Sequence, residues 1–236
     1  MLRSYSYDGQ WNIIYYPKKP SGFSVFIMGD HHHYVNNLDS FWLQHPGRLQ
    51  IIEQLQQKGY TSFSSNLYGE HWGSDKAVQL AEMMYHLVMK REILNEKIHV
   101  LAEGKGALVA LKLMKQRPDL IRSVVLLNPC LSIKQKWEVE RERVVFLKPF
   151  MNEISKAYGS AENDVYEKMN ESQISISIPL KIVHVLGNDT KKQFKMYKQL
   201  QKNNKELVEV VYLLPEKRYK VALETMRFFA EHENVL

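Results

Sequence analysis

The chain has 236 residues, of which 32 are Lys or Arg and 26 are Asp or Glu, giving a net charge of +6 with neutral histidines. A hydrophobic share of 44% and a charged share of 25% exclude wholesale disorder. The single cysteine, Cys130, excludes an intramolecular disulfide framework and favours a reducing compartment. No apolar run approaches the roughly 18 residues of a membrane span, and no signal peptide begins the chain. We therefore expect a cytoplasmic protein with no membrane partner.

The positive balance permits a nucleic-acid partner. Basic and acidic residues are mixed through most of the chain, however, and the densest basic cluster runs from Lys191 to Lys205. Its lysines recur at the spacing of one side of an amphipathic helix, whose other side would carry Phe194, Met196, Tyr197 and Leu200. This pattern indicates a solvated helix face, so no nucleic-acid partner is expected.

Strand and helix patterns alternate almost from the first residue. Asp8-Gly9 predicts a tight turn between two strands. The predicted strands are Ser4–Tyr7, Trp11–Tyr16, Phe23–Met28, Thr61–Ser65, Ile98–Ala102, Ser123–Leu127, Leu180–Leu186 and Leu207–Leu213. The predicted helices include one from Pro46 to about Gly59, one beginning after Ser74 or Asp75, and one from about Lys105 to Gln116. The alternation predicts an α/β fold, a mostly parallel sheet with helices on both faces.

One stretch, from Leu131 to Ile178, breaks this alternation. It is charged, prone to form helices, and lies between two strands of the predicted sheet. We expect it to form a small helical cap (131–178) over the carboxyl edge of the sheet, where folds of this class place their sites. The whole chain, 1–236, is then one domain.

The most informative segment is a strand that runs through a sharp turn at Gly104 into a helix. Ala102 and Gly106 lie two residues before and after the turn, as the close strand–helix contact of a nucleophile elbow requires. A phosphate-binding P-loop does not fit, because His99 stands where its first glycine belongs. A dinucleotide fingerprint fits poorly, because Val109 replaces its third glycine.

This segment resembles the α/β-hydrolase superfamily, whose members run here through strand, nucleophile elbow, helix, proline and a strand ending in Asn-Pro. The matching residues are Ile98–Leu111, Pro118 and Asn128-Pro129. The resemblance extends to Phe26–Asp30, where Met28 replaces the family's histidine in a His-Gly pair, and to Trp42, Leu67–Ser74 and Leu186–Asp189. It implies the α/β-hydrolase fold with a cap insertion.

The resemblance also implies that the usual chemistry is missing. It places Gly104 at the nucleophile position, Asp189 at the triad acid, and Arg218 or Tyr219 near the triad histidine. A Ser-His-Asp mechanism needs an attacking oxygen and a base to take its proton, and both are absent from these positions. Asp189 has a second interpretation as the N-cap of the helix that follows it.

Glycine at position 104 has two explanations. It relieves the backbone strain of the elbow, or it opens room for a ligand. In the second case the amides of Lys105 and Gly106 and the Lys105 ammonium would hold a carboxylate or phosphate. The predicted pocket comprises Gly29, Asp30, His31, Glu103 and Lys105. Adjacent histidines cannot all face one point, so no metal site and no cofactor are expected.

Three functions remain open at this point. The first, which the pattern favours, is a hydrolase-fold protein that has lost the serine mechanism and binds a small or anionic molecule above Gly104. The second is an active hydrolase or acyl-transfer enzyme with an altered constellation, using one of His31–His33 as base or Cys130 as nucleophile. The third is a protein-interaction module that docks through the cap.

Overall fold

The computed structural model describes residues 1–140, 144–159, 174–187 and 191–233. Its eight strands form one sheet. The strands are β1 (Leu2–Tyr7), β2 (Gln10–Tyr15), β3 (Ser24–Met28), β4 (Thr61–Ser65), β5 (Ile98–Glu103), β6 (Ile121–Leu127), β7 (Leu180–Val185) and β8 (Val208–Leu213). Each matches a predicted strand, with bounds that differ by three residues at most.

The helices of the described residues pack on both faces of this sheet. They are α1 (Phe41–Gln44), α2 (Pro46–Gln57), α3 (Asp75–Arg91), α4 (Gly106–Gln116), α5 (Ile133–Glu140), α6 (Val144–Tyr158), α7 (Lys191–Asn203) and α8 (Lys220–Glu231). Helices α3, α4 and α7 cover one face, and α1, α2 and α8 cover the other. The predicted α/β class is confirmed.

The strand order is β1-β2-β4-β3-β5-β6-β7-β8. Strand β2 pairs antiparallel with β1 and with β4, and all other pairs are parallel. The turn between β1 and β2 carries positive φ at Asp8 (47°) and Gly9 (69°), as a two-residue hairpin requires. Because the parallel strands share one direction, their carboxyl ends meet at one edge, where the loops after β3, β5 and β6 converge.

Burial explains why the central strands form as they do. Every residue of β3 and of β5 is buried, as expected for strands covered on both faces. On one side Phe26 stacks on Phe63, with ring centroids 4.6 Å apart, and on the other Trp42 is almost wholly buried. This packed sheet gives the loops at its carboxyl edge a rigid base.

The basic segment forms a helix with one buried side and one exposed side. Helix α7 buries Tyr197 and Leu200 and exposes Lys195, Lys198 and Lys202, which confirms the predicted amphipathic helix. Among the described residues, no helix has the length and apolar character needed to cross a membrane.

The predicted cap is described in part, as α5 and α6. These helices pack above the start of α4 in a small apolar cluster formed by Trp72, Leu108, Ile133, Phe150, Met151 and Ile154. The ring of Trp72 meets that of Phe150 at a centroid distance of 5.0 Å, nearly edge-on. Residues 141–143 and 160–173 of the predicted cap lie outside the described part. The described helices therefore cover the carboxyl edge beside the turn at Gly104.

Candidate functional site at the Gly104 turn

The turn between β5 and α4 has the geometry of a nucleophile elbow. Gly104 has φ +52°, a left-handed conformation that favours glycine. Its N–H donates to the Leu127 carbonyl at 3.1 Å, and its carbonyl accepts from the Cys130 N–H at 2.9 Å. A Cβ on Gly106 would lie 2.3 Å from the Met28 carbonyl oxygen, so only glycine permits this close approach of helix and strand.

The space beside Gly104 is filled by a carboxylate from the loop after β3. A Cβ on Gly104 would lie 2.0 Å from Asp30 Cγ and within 2.3 Å of both its oxygens. The Asp30 Oδ1 atom accepts a hydrogen bond from the Lys105 N–H at 2.8 Å. In the structure the chain's own carboxylate lies at this amide, so an external anion would have to displace Asp30.

The backbone donors expected to form an oxyanion hole are satisfied internally. In a nucleophile elbow these donors are the amide after the nucleophile and an amide of the loop after β3. Here the first, from Lys105, donates to Asp30. The amide of Asp30, the second residue of that loop, donates to His33 Nδ1 at 3.0 Å. Both donors already have an acceptor, so a substrate oxygen would have to displace one.

His33 accepts this bond because its ring is neutral. Burial lowers the pKa of His33 to about 4, with Asp30 opposing the shift. The ring stacks on Phe41 with a centroid separation of 3.9 Å. A Cβ on Gly29 would lie 2.5 Å from His33 Cβ, so glycine at this position allows the loop to fold back on itself. Asp30 is thus fixed from both sides, by His33 and by Lys105.

The Lys105 ammonium is already paired with acidic side chains. It lies 2.9 Å from Glu70 Oε2, 3.3 Å from Glu153 Oε2 and 3.0 Å from His31 Nδ1. It also stands 3.8 Å above the centre of the Trp72 ring, a cation–π contact. Only 12% of the Lys105 side chain is exposed. Two carboxylates already neutralise this ammonium, so an external anion would have to compete with them.

Glu70 and Glu153 come from opposite sides of Lys105. Glu70 belongs to the loop after β4, and Glu153 belongs to α6, where it also accepts from Trp72 Nε1 at 3.1 Å. Burial raises the pKa of Glu70, but hydrogen bonds from Lys105 and His31 outweigh it and the net shift is downward. Lys105 therefore joins the elbow, the β4 loop and the cap in one charged cluster.

The loop that supplies Glu70 has an unusual backbone. Leu67, Tyr68 and Trp72 have positive φ values of 46°, 65° and 43°. Each such non-glycine residue carries strain of about 1–3 kcal/mol and persists only where the surroundings hold it. Strain of this kind is concentrated at functional sites in folded proteins.

His71, in the same loop, is a buried neutral histidine. Its Nδ1 accepts from the Gly73 N–H at 3.1 Å. Burial lowers the pKa of His71 to about 4, against an opposing hydrogen bond with the Gly29 backbone. Both ring contacts are with backbone groups, so the ring holds the β3 and β4 loops together.

These two histidines predict a loss of stability in acid. Each has a folded-state pKa near 4, below the ordinary value of 6.5, so the unfolded chain binds more protons between these pH values. Their contribution is complete above pH 6.5 and is lost as pH falls toward 4, at up to about 1.4 kcal/mol per pH unit for each ring. Urea denaturation at stepped pH measures this slope. A free energy of unfolding that is flat between pH 7 and 4.5 would contradict it.

A possible metal-binding set appears that the sequence pattern did not predict. Within the described residues, His31, His32 and Glu70 each place one donor atom within 4.8 Å of the others. Two imidazoles and a carboxylate are ligands that Zn²⁺ accepts. The Lys105 ammonium, however, already contacts His31 and Glu70 and supplies the positive charge. A divalent cation would have to displace this ammonium.

Glu103 ends β5 and is not exposed to a ligand. It forms a two-pronged ion pair with Arg48, in which Arg48 Nε lies 2.8 Å from Glu103 Oε2 and the second prong joins Nη2 to Oε1. The Glu103 side chain is 8% exposed. Burial raises its pKa, and the Arg48 guanidinium opposes the rise. Glu103 therefore anchors α2 to the sheet edge.

Arg218 and Tyr219 line a cavity of about 350 Å³ between β6, β7, α2 and α8, together with His45 and Asn128. The lining of this cavity does not include Asp30, Gly104 or Lys105. Asp189, the expected triad acid, lies outside the described residues. The structure thus brings together Gly29, Asp30, His31, Gly104 and Lys105, whereas Arg218 and Tyr219 line this cavity.

Cys130 has the properties of a filler side chain. Burial raises the pKa of its thiol to about 11, so the reactive thiolate is scarce near neutral pH. Its Sγ donates to the Ser132 carbonyl at 3.7 Å.

Several residues of the site were not selected from the sequence. Arg48, Glu70, His71 and Glu153 all complete the surroundings of Gly104 or Glu103. Glu70 and His71 lie in a loop that the sequence did single out, between Leu67 and Ser74. For Glu153, in the cap, the sequence contains no such signal, because its role depends on how α6 lies over the turn.

Comparison by sequence finds no match, either to a protein-family model or to a curated protein. Comparison of the fold finds many solved structures. Est1E from Butyrivibrio proteoclasticus is 14% identical with a TM-score of 0.65, and 98% of each chain is covered. An S-formylglutathione hydrolase from Agrobacterium tumefaciens is 8% identical with a TM-score of 0.69, covering 98% of this chain and 94% of its own. The epoxide hydrolase VrEH1 from Vigna radiata is 11% identical with a TM-score of 0.61, with 98% of each chain covered. At these identities the likeness is one of fold.

Proposed function

We propose, from the premise that the chain has the α/β-hydrolase fold, that it binds a small molecule and does not cleave esters by a serine mechanism. The observation that carries the proposal is the position of Asp30. Its carboxylate fills the space of the missing side chain at Gly104 and accepts the hydrogen bond of the Lys105 amide. A substrate carbonyl would find no nucleophilic side chain at Gly104, and the Lys105 amide is already bonded to Asp30.

The absence of a base supports the same proposal. All nine histidines of the chain lie within the described residues, and none stands between β8 and α8, where the triad histidine is expected. His33 and His71, in the loops after β3 and β4, each accept a backbone N–H through Nδ1. General-base catalysis by histidine needs a ring nitrogen within hydrogen-bond reach of the attacking group. Gly104 offers no such group.

The test is covalent labelling together with ester turnover. We expect no labelling of the protein by a fluorophosphonate probe and no hydrolysis of p-nitrophenyl butyrate above background. The matched variant is the double substitution Asp30→Ala with Gly104→Ser, which removes the carboxylate and adds a hydroxyl. Stoichiometric labelling of the unmodified protein, with the site mapped by mass spectrometry, would refute the proposal.

A second candidate function, catalysis by a carboxylate nucleophile, rests on Asp30. Carboxylates serve as nucleophiles in some enzymes, and Asp30 stands where an attacking atom would stand. Attack on an ester carbonyl would release the alcohol and leave a mixed anhydride, which water would then hydrolyse. Against this, the Asp30 Oδ1 atom is held by the amide that should stabilise the developing negative charge. The variant Asp30→Asn separates the candidates. If turnover of any ester is found and this variant abolishes it, Asp30 is the nucleophile; if the variant retains it, Asp30 has no such role.

A further inference from the structure

The cavity beside Arg218 is the strongest remaining candidate for a ligand site. It measures about 350 Å³ and lies at the carboxyl edge of the sheet, between the ends of β6 and β7 and the first turns of α2 and α8. This is within the usual size range for small-molecule sites, which begins near roughly 300 Å³. In α/β sheets, ligands bind at this edge.

The charge of the lining is one-sided. Two arginines, Arg48 and Arg218, contribute to it, and none of its described residues is acidic. Glu103 already neutralises Arg48. Arg218 is exposed and has no ion-pair partner within the described part of the chain. A guanidinium in this state is suited to hold a carboxylate or phosphate with two parallel hydrogen bonds.

Other hydrogen-bond donors lie in the same cavity as Arg218. The Asn128 Oδ1 atom accepts from the Val185 N–H at 2.8 Å, which leaves the Asn128 amide nitrogen as a donor with no partner among the described residues. His45 uses Nδ1 to accept from the Gly47 N–H at 3.2 Å, which leaves Nε2 for other contacts. Helix α8 begins here without a side-chain cap, and its partial positive charge adds to that of Arg218.

The remaining wall is apolar. It is formed by buried or half-buried side chains at the sheet edge and on the two helices, namely Ile51, Leu127, Val183, Val185, Leu186 and Ala222. A wall of this kind favours an organic body over a bare inorganic ion, because covering apolar surface is favourable. The lining as a whole therefore fits a small molecule with one anionic end and one apolar end.

We propose that this cavity binds a small organic anion, a carboxylate or phosphate ester with a short apolar body, whose charged end is held by Arg218 and Asn128. The inference deepens the proposed binding function and rests on it, since the ligand is held and not cleaved. It moves the anion site expected above Gly104 to a different place. There Arg218 has no ion-pair partner among the residues that the structure describes, whereas Asp30 occupies the elbow.

The test is a direct binding measurement with three probes that share one apolar chain. Isothermal titration with sodium hexanoate, hexyl phosphate and hexan-1-ol compares a carboxylate, a phosphate ester and a neutral molecule. We expect at least one of the two anions to bind and to weaken as salt rises, and the alcohol to bind at least about tenfold more weakly. The stronger of the two anions identifies the head group. Equal binding of the alcohol, or no binding of either anion at about 10 mM, would overturn the proposal.

The variant that tests the role of Arg218 is Arg218→Met, which keeps an apolar stem and removes the charge. We expect it to weaken anion binding by at least about tenfold, since a charge-assisted pair is lost. The control is Arg227→Met, which removes an arginine from the exposed side of α8, the helix that follows Arg218, and should leave binding unchanged. Circular dichroism checks that both variants fold. Unaltered binding by Arg218→Met, or an equal loss in the control, contradicts the assignment.

The anion-binding test and the labelling test can succeed or fail independently of each other. Anion binding without labelling supports both proposals. Labelling at the elbow, with anion binding that still depends on Arg218, refutes only the non-catalytic function. Absence of both binding and labelling leaves the elbow account in place and refutes the cavity.

Discussion

The variant Gly104→Ala is expected to destabilise the protein by about 2–5 kcal/mol. A left-handed backbone costs a residue with a Cβ about 1–2 kcal/mol. The Cβ would also lie 2.0 Å from Asp30 Cγ, and forcing two groups into one space costs about 1–3 kcal/mol more. Urea denaturation followed by circular dichroism measures the loss in the free energy of unfolding.

The chain offers a matched control for the steric part of this effect. Gly69 has φ +70°, and a Cβ there would meet no atom within 4 Å. Gly69→Ala therefore carries the backbone cost alone, about 1–2 kcal/mol. Because the clash is with Asp30, the double variant Asp30→Ala with Gly104→Ala should lose less than the sum of the two single losses. Equal effects at Gly69 and Gly104, or simple additivity, would show that Asp30 does not occupy the position.

The variant Arg48→Met is expected to cost about 3–5 kcal/mol, because it leaves the buried Glu103 carboxylate without its partner. The Glu103 side chain is 8% exposed and that of Arg48 is 23% exposed, so water replaces little of the lost interaction. The matched control is Arg227→Met on the surface of α8, where the Arg227 side chain is 70% exposed and pairs with Glu231. Such a surface pair contributes about 0–1 kcal/mol.

The loss in Arg48→Met should depend on pH in one direction. Without the guanidinium, burial raises the pKa of Glu103 further above its ordinary value of 4.5. The penalty for burying the charged form is then absent below that value and grows as pH rises through neutrality. Comparing the variant with the unmodified protein in urea at pH 4.5 and 7.5 measures this difference. A loss of the same size at both pH values would indicate that Arg48 acts through packing and not through its charge.

The fold was largely predictable because its signals are local. Asp8-Gly9 gave the hairpin, the apolar runs gave the buried strands, and glycines at 104 and 106 marked a turn where helix and strand touch. Alternation of segments with strand periodicity and segments with helix periodicity then restricts the chain to a mostly parallel sheet covered on both faces. These properties need no knowledge of which distant residues meet.

The contacts within the site were not predictable, because they join residues that are far apart in sequence. Asp30 was selected as a pocket residue, but its contact with position 104 joins residues that are 74 apart in sequence, and only the packed sheet brings their loops together. The same is true of Glu70 and Glu153 around Lys105. A carboxylate in a loop looks the same in sequence whether it faces water, a ligand or the chain's own backbone.

The sequence by itself therefore determined an α/β scaffold of ordinary globular composition, with glycine at the centre of a strand–turn–helix elbow. Its charge of +6 carried no information about where an anion would be held. The tertiary structure alone decided that Asp30 fills the elbow, that Lys105 is neutralised, and that Arg218, beside a cavity, has no ion-pair partner in the described part of the chain. The physical reason is that charge pairing is short-ranged and depends on distances between loops, which the order of residues along the chain does not record.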